Sequence, residues 1–175
     1  MGTVRVRPME PADREVLGDL LVAAYEPSGM PPDHEYWQRL RDVEGRAAGS
    51  EIWVAELDEP IGPGRHVELA GTLTWCPVGS PWRELAGPGD AEFRMLAVAP
   101  HLQGRGVGQA LVAAVIDRAR ADGYRSVVLA SADWMTVAHG LYERAGFART
   151  PDRDWSPAPG VQLLAFRLDL DAPDA

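Results

Sequence analysis

Residues 96–109, Leu96-Ala-Val-Ala-Pro-His-Leu-Gln-Gly-Arg-Gly-Val-Gly-Gln109, decide how this chain folds. An apolar run of strand character stops at Pro100. Glycines follow at Gly104, Gly106 and Gly108, and helical spacing opens at about Val107. Glycine lets a backbone turn sharply and brings its N–H groups close to a ligand with no Cβ in the way. The first N–H groups of a helix lack intrahelical acceptors and carry partial positive charge. Strand, glycine turn and helix N-terminus in succession therefore predict an anion site, most often for phosphate. Arg105 places a cation inside the turn.

Three phosphate-binding patterns compete for this stretch. A P-loop needs Gly-Lys-Ser/Thr, and no Gly-Lys pair occurs in the chain. A dinucleotide fingerprint needs Gly-x-Gly-x-x-Gly, but Gln109 stands where the third glycine belongs. The third pattern, Gln/Arg-x-x-Gly-x-Gly/Ala, is complete as Gln103-Gly-Arg-Gly106-Val-Gly108. It is preceded by Leu96-Ala-Val-x-Pro100 and followed by Leu141-Tyr-Glu-Arg-Ala-Gly-Phe147. With these three blocks in order, the sequence resembles the Gcn5-related N-acetyltransferases, the GNAT superfamily. The specific likeness lies in the second half of the chain; the first half agrees in element order alone.

At 175 residues the chain suits one domain, expected over 1–170, with residues 171–175 read as a disordered tail. Hydrophobic residues make up 46% and charged residues 25%, as in ordinary globular proteins. No apolar run approaches the roughly 20 residues of a membrane span. The N-terminal Met1-Gly-Thr-Val-Arg-Val-Arg-Pro8 alternates like a strand and has no signal-peptide core, so a cytoplasmic enzyme is expected. Cys76 is the only cysteine, which excludes an internal disulfide and a thiolate cluster and makes it a buried small hydrophobe. His34, His66, His101 and His139 show no metal-ligand spacing, and no metal is expected. The net charge of −9, from 26 acidic and 17 basic residues, argues against nucleic acid or an anionic membrane as partner. It mildly favours a cationic substrate, although acidity also simply keeps a protein soluble.

Hydrophobic spacing predicts strands over residues 3–7, 52–57, 67–75, 93–99, 126–130 and 163–170. Helices are expected over 12–24, from a cap at Asp33 through Trp37, Leu40 and Val43, over 107–122, and over 135–145. Residues 77–90, with three prolines and three glycines, read as a long exposed loop, and 150–160 as another. No internal repeat is present. The order matches an α/β acyl-CoA N-acyltransferase (GNAT) fold, for which the resemblance implies a mixed sheet of about six or seven strands flanked by about four helices.

The resemblance further implies acetyl-CoA as co-substrate and direct attack by an amine acceptor in a ternary complex. Gln103, Gly104, Arg105, Gly106, Val107, Gly108 and Gln109 would anchor the pyrophosphate. Leu96, Ala97 and Val98 would meet the pantetheine on a strand that splays from its neighbour. A main-chain N–H there, aimed at a developing oxyanion, is worth about 3 kcal/mol of barrier. Tyr142 stands where the family places its general acid, although the same tyrosine also lies on an apolar stripe with Ala138 and Leu141. One branch of the family carries its basic glutamate where this chain has Ala130, which cannot act. Another branch carries it early in the strand before the loop, where Ala91-Glu92-Phe-Arg94 matches. Glu92 is thus the expected general base, against the alternative of a strand-end carboxylate paired with Arg94.

Where the resemblance implies a cofactor-contacting asparagine at the start of the last helix, this chain has Met135, with Ser131 or Thr136 as replacements. The loops 27–37, 77–90 and 150–160, with Tyr36, Trp37, Trp82 and Trp155, would line the acceptor pocket. A non-catalytic coenzyme-A-binding or regulatory module on the same fold is the alternative, and a homodimer is left open. A Rossmann-like nucleotide-binding unit is a third reading.

Overall fold

The computed structural model describes residues 2–61 and 64–170, so the expected tail at 171–175 lies outside the described residues. Thr3–Pro8 (β1), Glu51–Ile61 (β2), Gly64–Cys76 (β3) and Asp90–Val98 (β4) form an antiparallel meander. Arg14–Tyr25 (α1), Tyr36–Arg41 (α2) and Val43–Gly49 (α3) fill the long connection between β1 and β2. The chain then passes through Val107–Ala121 (α4) to Ser126–Ala132 (β5), which runs parallel to β4, and on to Thr136–Arg144 (α5). Ala148–Arg149 (β6), Trp155–Ala158 (β7) and Val161–Asp169 (β8) close the sheet. The order is β1-β2-β3-β4-β5-β8-β6, with β7 also on β8.

The eight strands and five α-helices among the described residues exceed the expected numbers for identifiable reasons. Segments as short as β6 and β7 show no periodicity in sequence and exist only because β8 offers them a ladder. The helix expected from Asp33 to Val43 breaks at Asp42, whose ψ of 68° leaves the helical region. Its carboxylate accepts the Gly45 N–H at 2.8 Å, so an interior position becomes the cap of α3.

Alternation along β2 distributes the core on both sheet faces. Ile52 and Val54 pack with Leu17 of α1 and Val43 of α3. Trp53 stacks on Trp75 at 5.5 Å on the opposite face, beneath the Arg118 guanidinium of α4. Cys76 is 1% exposed, and burial pushes its thiol up to about 12, in keeping with a packing role.

The functional geometry comes from how β4 and β5 separate. They pair only where Asp90, Ala91 and Glu92 meet Ser126, Val127 and Val128. Asp90 clamps this closed end: it accepts Ser126 Oγ at 2.5 Å and Arg167 Nη1 at 2.9 Å. Beyond Glu92 the ladder to β5 stops, while β5 continues to Ala132 against β8. On its other side β4 carries an extra residue opposite Thr72–Thr74, and Met95 there has φ 52°. A left-handed non-glycine residue costs about 1 kcal/mol or more, so packing must hold it. The buried Arg46 does so in part, donating to Met95 Sδ at 3.1 Å.

The 77–90 segment is a loop, as its composition suggested, but only part of it is exposed. Leu85 is buried with Val128 and Ala165, and Arg83 donates to the Asp90 carbonyl.

Candidate active site

The glycine turn forms a cradle at the open end of β4. Buried Leu102 anchors the segment before it. Gly104 has φ 77°, and Gly106, with φ 83°, is the N-cap of α4. Both values lie where side chains other than glycine are strained. The first backbone bond of α4 runs from Ala110 N–H to Gly106 O at 3.0 Å, so the N–H groups of Val107, Gly108 and Gln109 precede the helix ladder. An added Cβ at Gly104 would meet nothing within 4 Å, and one at Gly106 only Gln109 Oε1 at 3.8 Å. Open space above a ring of donors suits an anion. Gly108 serves differently: a Cβ there would lie 2.9 Å from Leu141 Cδ2, so the glycine lets α4 and α5 approach.

This cradle faces a groove of about 540 Å³. Leu96, Ala97, Val98, Gln103, Gly104, Gly106, Val107, Gly108 and Gln109 form one wall. Arg105, between the two glycines of the turn, is exposed and does not line this groove. Trp134 to Ala138, Leu141 and Arg144 form the opposite wall, with Arg144 a cation that sequence spacing did not single out.

A second cavity of about 190 Å³ adjoins the groove, and Leu96, Trp134 and Met135 line both. The gap between diverging β4 and β5 is therefore where the two spaces meet. All three loops named from the sequence reach this second cavity: Met30, His34, Glu35 and Tyr36 from the first, Glu84 from the second, Pro157 and Ala158 from the third. Of the aromatics singled out, only Tyr36 lines it. Trp37 instead donates to the Pro31 carbonyl at 2.8 Å, Trp82 packs on the core, and Trp155 packs near Leu85. Tyr25 and Trp134, 6.1 Å apart edge to face, replace them. Tyr25 lies one residue beyond the helix expected over 12–24 and was not singled out.

Tyr142 lines this cavity at 4% exposure, packed against Phe93, Phe147 and Phe166. Burial holds its phenol well above the ordinary tyrosine range. Ser131, 5% exposed, lines the cavity with an Oγ that has no hydrogen-bond partner, whereas Thr136 lines the groove. His139 lies outside both linings and hydrogen-bonds the Ala132 carbonyl at 3.0 Å through Nε2.

Glu92 stands apart from this cluster. It sits in the interior of β4 rather than at a strand end, is 1% exposed, and lines neither space. Its carboxylate accepts the backbone N–H groups of Glu84, Leu85 and Ala86 at 2.9–3.2 Å. So engaged, the carboxylate faces the 84–86 backbone and lines neither space, although it was expected to act on the acceptor directly or through water. Arg94 does not pair with it either. Arg94 reaches Glu84 instead, Nη2 to Oε1 at 2.9 Å, and holds the Trp82 carbonyl at 3.0 Å.

No group of three or more His, Cys, Asp or Glu that could hold a metal ion occurs among the described residues. Nor is any described helix long and apolar enough to cross a membrane.

Comparison with known proteins follows the same lines. The family model described as "Acetyltransferase (GNAT) family" matches residues 14–147. Over 149 residues the chain is 33% identical to a mycothiol acetyltransferase of Cellulomonas flavigena, covering 75% of this chain and 40% of that protein. Over 151 residues it is 34% identical to an uncharacterised N-acetyltransferase of Schizosaccharomyces pombe, covering 79% and 91%. The chain thus spans about two-fifths of the first of these relatives and most of the second. A Bacillus subtilis acetyltransferase solved in complex with CoA is 23% identical, with a TM-score of 0.62 over 96% of this chain and 99% of that one.

Proposed function

The chain belongs to the GNAT acetyltransferase family, and from that premise we propose that it is an acetyl-CoA-dependent N-acetyltransferase acting on a primary amine by direct attack in a ternary complex. The observation that carries this reading is the junction at Leu96, Trp134 and Met135, where a donor-lined groove opens into a separate, aromatic-walled cavity. A transferase needs two binding spaces that meet at one point, whereas a simple binding module needs only one. When bound, acetyl-CoA supplies an acetyl group activated as a thioester.

The N–H groups of Val107, Gly108 and Gln109, with the turn at Gly104 and Gly106, hold the pyrophosphate at the positive end of α4. The main chain at Leu96, Ala97 and Val98 lies beyond the last β5 pairing, so its groups are available to orient the pantetheine arm and polarise the carbonyl. Tyr142 protonates the departing sulfur; its elevated pKa keeps the phenol protonated throughout the neutral range. The aromatic walls exclude water from the acceptor side and favour the neutral amine over its ammonium form.

Thiol release from acetyl-CoA across a panel of primary amines tests the proposal. Acceptor-dependent release is the expected result. Saturable coenzyme A binding without release for any amine would overturn it in favour of a binding module.

A further inference from the structure

Glu84 is a carboxylate that no motif or spacing singles out, lying in a proline- and glycine-rich stretch without periodicity. The structure brings it to the wall of the second cavity from a backbone pinned by Glu92. From the deepening of the acetyltransferase reading that this placement permits, we infer that Glu84 receives the ammonium group of the acceptor and takes its proton, in a cavity that selects a compact primary amine with an aromatic or aliphatic body.

Three observations support this. First, the Glu84 side chain is 31% exposed and is held by Arg94 at 2.9 Å, itself fixed to the Trp82 carbonyl. The carboxylate is therefore positioned on one side while still bordering the cavity. Second, the cavity is small, about 190 Å³, and walled by Tyr25, Tyr36, Phe93, Trp134 and Tyr142. Such walls suit an apolar body. Third, Ser131 leaves a buried hydroxyl without a partner in the same wall. Leaving a buried polar group unmet is costly, and a polar atom of a bound molecule would offset that cost.

The electrostatics agree with a proton acceptor. Burial pushes the Glu84 carboxyl up, Arg94 opposes this, and neighbouring Glu92 adds to it, for a net rise. Asp13, Asp90 and Asp154, the other carboxyls with resolved shifts among the described residues, all move down. The charged and titratable groups around Glu84 are Arg94 and Glu92 on β4, Arg39 and Tyr36 on α2, and His34 and Glu35 just before α2. Arg94 and the apolar walls disfavour a retained ammonium, which narrows the gap between amine and carboxylate.

The step balances. Glu84 takes a proton from R–NH3+, freeing the nitrogen lone pair to form the C–N bond with the acetyl carbon. The C–S bond breaks with its electron pair on sulfur, and Tyr142 protonates that sulfur. The nitrogen loses its second proton to solvent, Tyr142 is reprotonated and Glu84 releases its proton, so the net products are the N-acetylamine, the free thiol and H+.

The test compares wild type, Glu84→Gln and Glu84→Asp, with 2-phenylethylamine as probe. It measures acceptor-dependent thiol release against pH, and binding of the amine alone by calorimetry. Glu84→Gln should lower turnover about 100-fold and weaken amine binding about 10-fold, a loss near 1.4 kcal/mol. Coenzyme A affinity should be unchanged. Wild-type rate should fall as pH drops through the raised Glu84 pKa. In Glu84→Gln that limb should give way to a rate that climbs toward the amine's own pKa. Glu84→Asp, which keeps the charge, should recover part of the turnover, and it carries the test if Glu84→Gln does not fold. Wild-type rate and limb in Glu84→Gln would overturn the inference while leaving the acetyltransferase reading intact. If wild type releases no thiol with any amine, the acetyltransferase reading fails instead. Equal amine affinity in wild type and variant then overturns this inference as well.

Discussion

The Glu92 carboxylate accepts the backbone N–H of Glu84 at 3.0 and 3.2 Å, so one acid fixes the segment that carries the other. The same carboxylate also takes the N–H groups of Leu85 and Ala86. It acts on the cavity through the backbone rather than by contact. Glu92→Gln replaces one accepting oxygen by an NH2 group that faces donors. Hydrogen bonds to a charged group contribute about 1.5–3 kcal/mol, and the variant should lose about that much stability in chemical denaturation. Amide exchange at 84–86 should accelerate in step. Wild-type stability with unchanged exchange would show that the loop is held by something else.

At the cradle, Gly106→Asp should reduce coenzyme A affinity on the order of 1,000-fold, since like charges about 4 Å apart repel by about 4 kcal/mol at an effective dielectric of 20. The added side chain meets open space, with Gln109 Oε1 at 3.8 Å its nearest neighbour, so the fold has room for it. The φ of 83° should cost only about 1 kcal/mol for an aspartate. Calorimetry with coenzyme A, alongside a melting curve, separates the two effects. Retained affinity in the folded variant would show that the phosphates bind elsewhere.

Tyr142→Phe should lower turnover about 100-fold or more while leaving cofactor affinity intact. The ring contacts to Phe93, Phe147 and Phe166, with centroids 5.7–6.1 Å apart, survive the change, so stability should hold within about 1 kcal/mol. Because burial raises the phenol pKa, the wild-type rate should show no tyrosine-dependent decline until above the ordinary tyrosine range. Steady-state kinetics across pH checks both statements.

Asp90 predicts a pH dependence of stability. Burial works against its charge, but hydrogen bonds from Ser126 and the Gly87 N–H, together with Arg167, outweigh it and hold the carboxyl below its usual 3.8. A depressed folded-state pKa gives stability that is complete above the unfolded value and lost as pH falls through the folded one. Asp90→Asn should therefore be less stable than wild type at pH 7, with the gap closing below about pH 4. Denaturation at both pH values measures this. A gap that persists unchanged into acid would remove Asp90 from the acid response.

The relation between sequence and structure differs from one part of this molecule to another. The turn from Gln103 to Gln109 was legible because its information is local: glycines that permit φ near 80°, placed directly before a helix, define donor positions without help from the rest of the chain. The β4–α4–β5 crossover followed from the same stretch, and Tyr142 from its motif. The break at Asp42 was harder, since an aspartate within helical spacing reads equally as an interior residue or a cap.

What tertiary structure alone decided is the second cavity and the division of labour between two glutamates. Tyr25, Glu84 and the stretch carrying Trp134 and Tyr142 are distant in sequence and meet only because β4 and β5 part after three paired positions. No periodicity marks such a convergence. Glu92 drew attention because it matches the place where one branch of the resembled family carries its basic glutamate, yet three backbone N–H groups absorb its charge. Glu84 drew none, because its role depends on where a folded loop leaves it. Local backbone chemistry can be read from order and spacing, whereas the surroundings of a carboxylate are set by what packs against it in three dimensions.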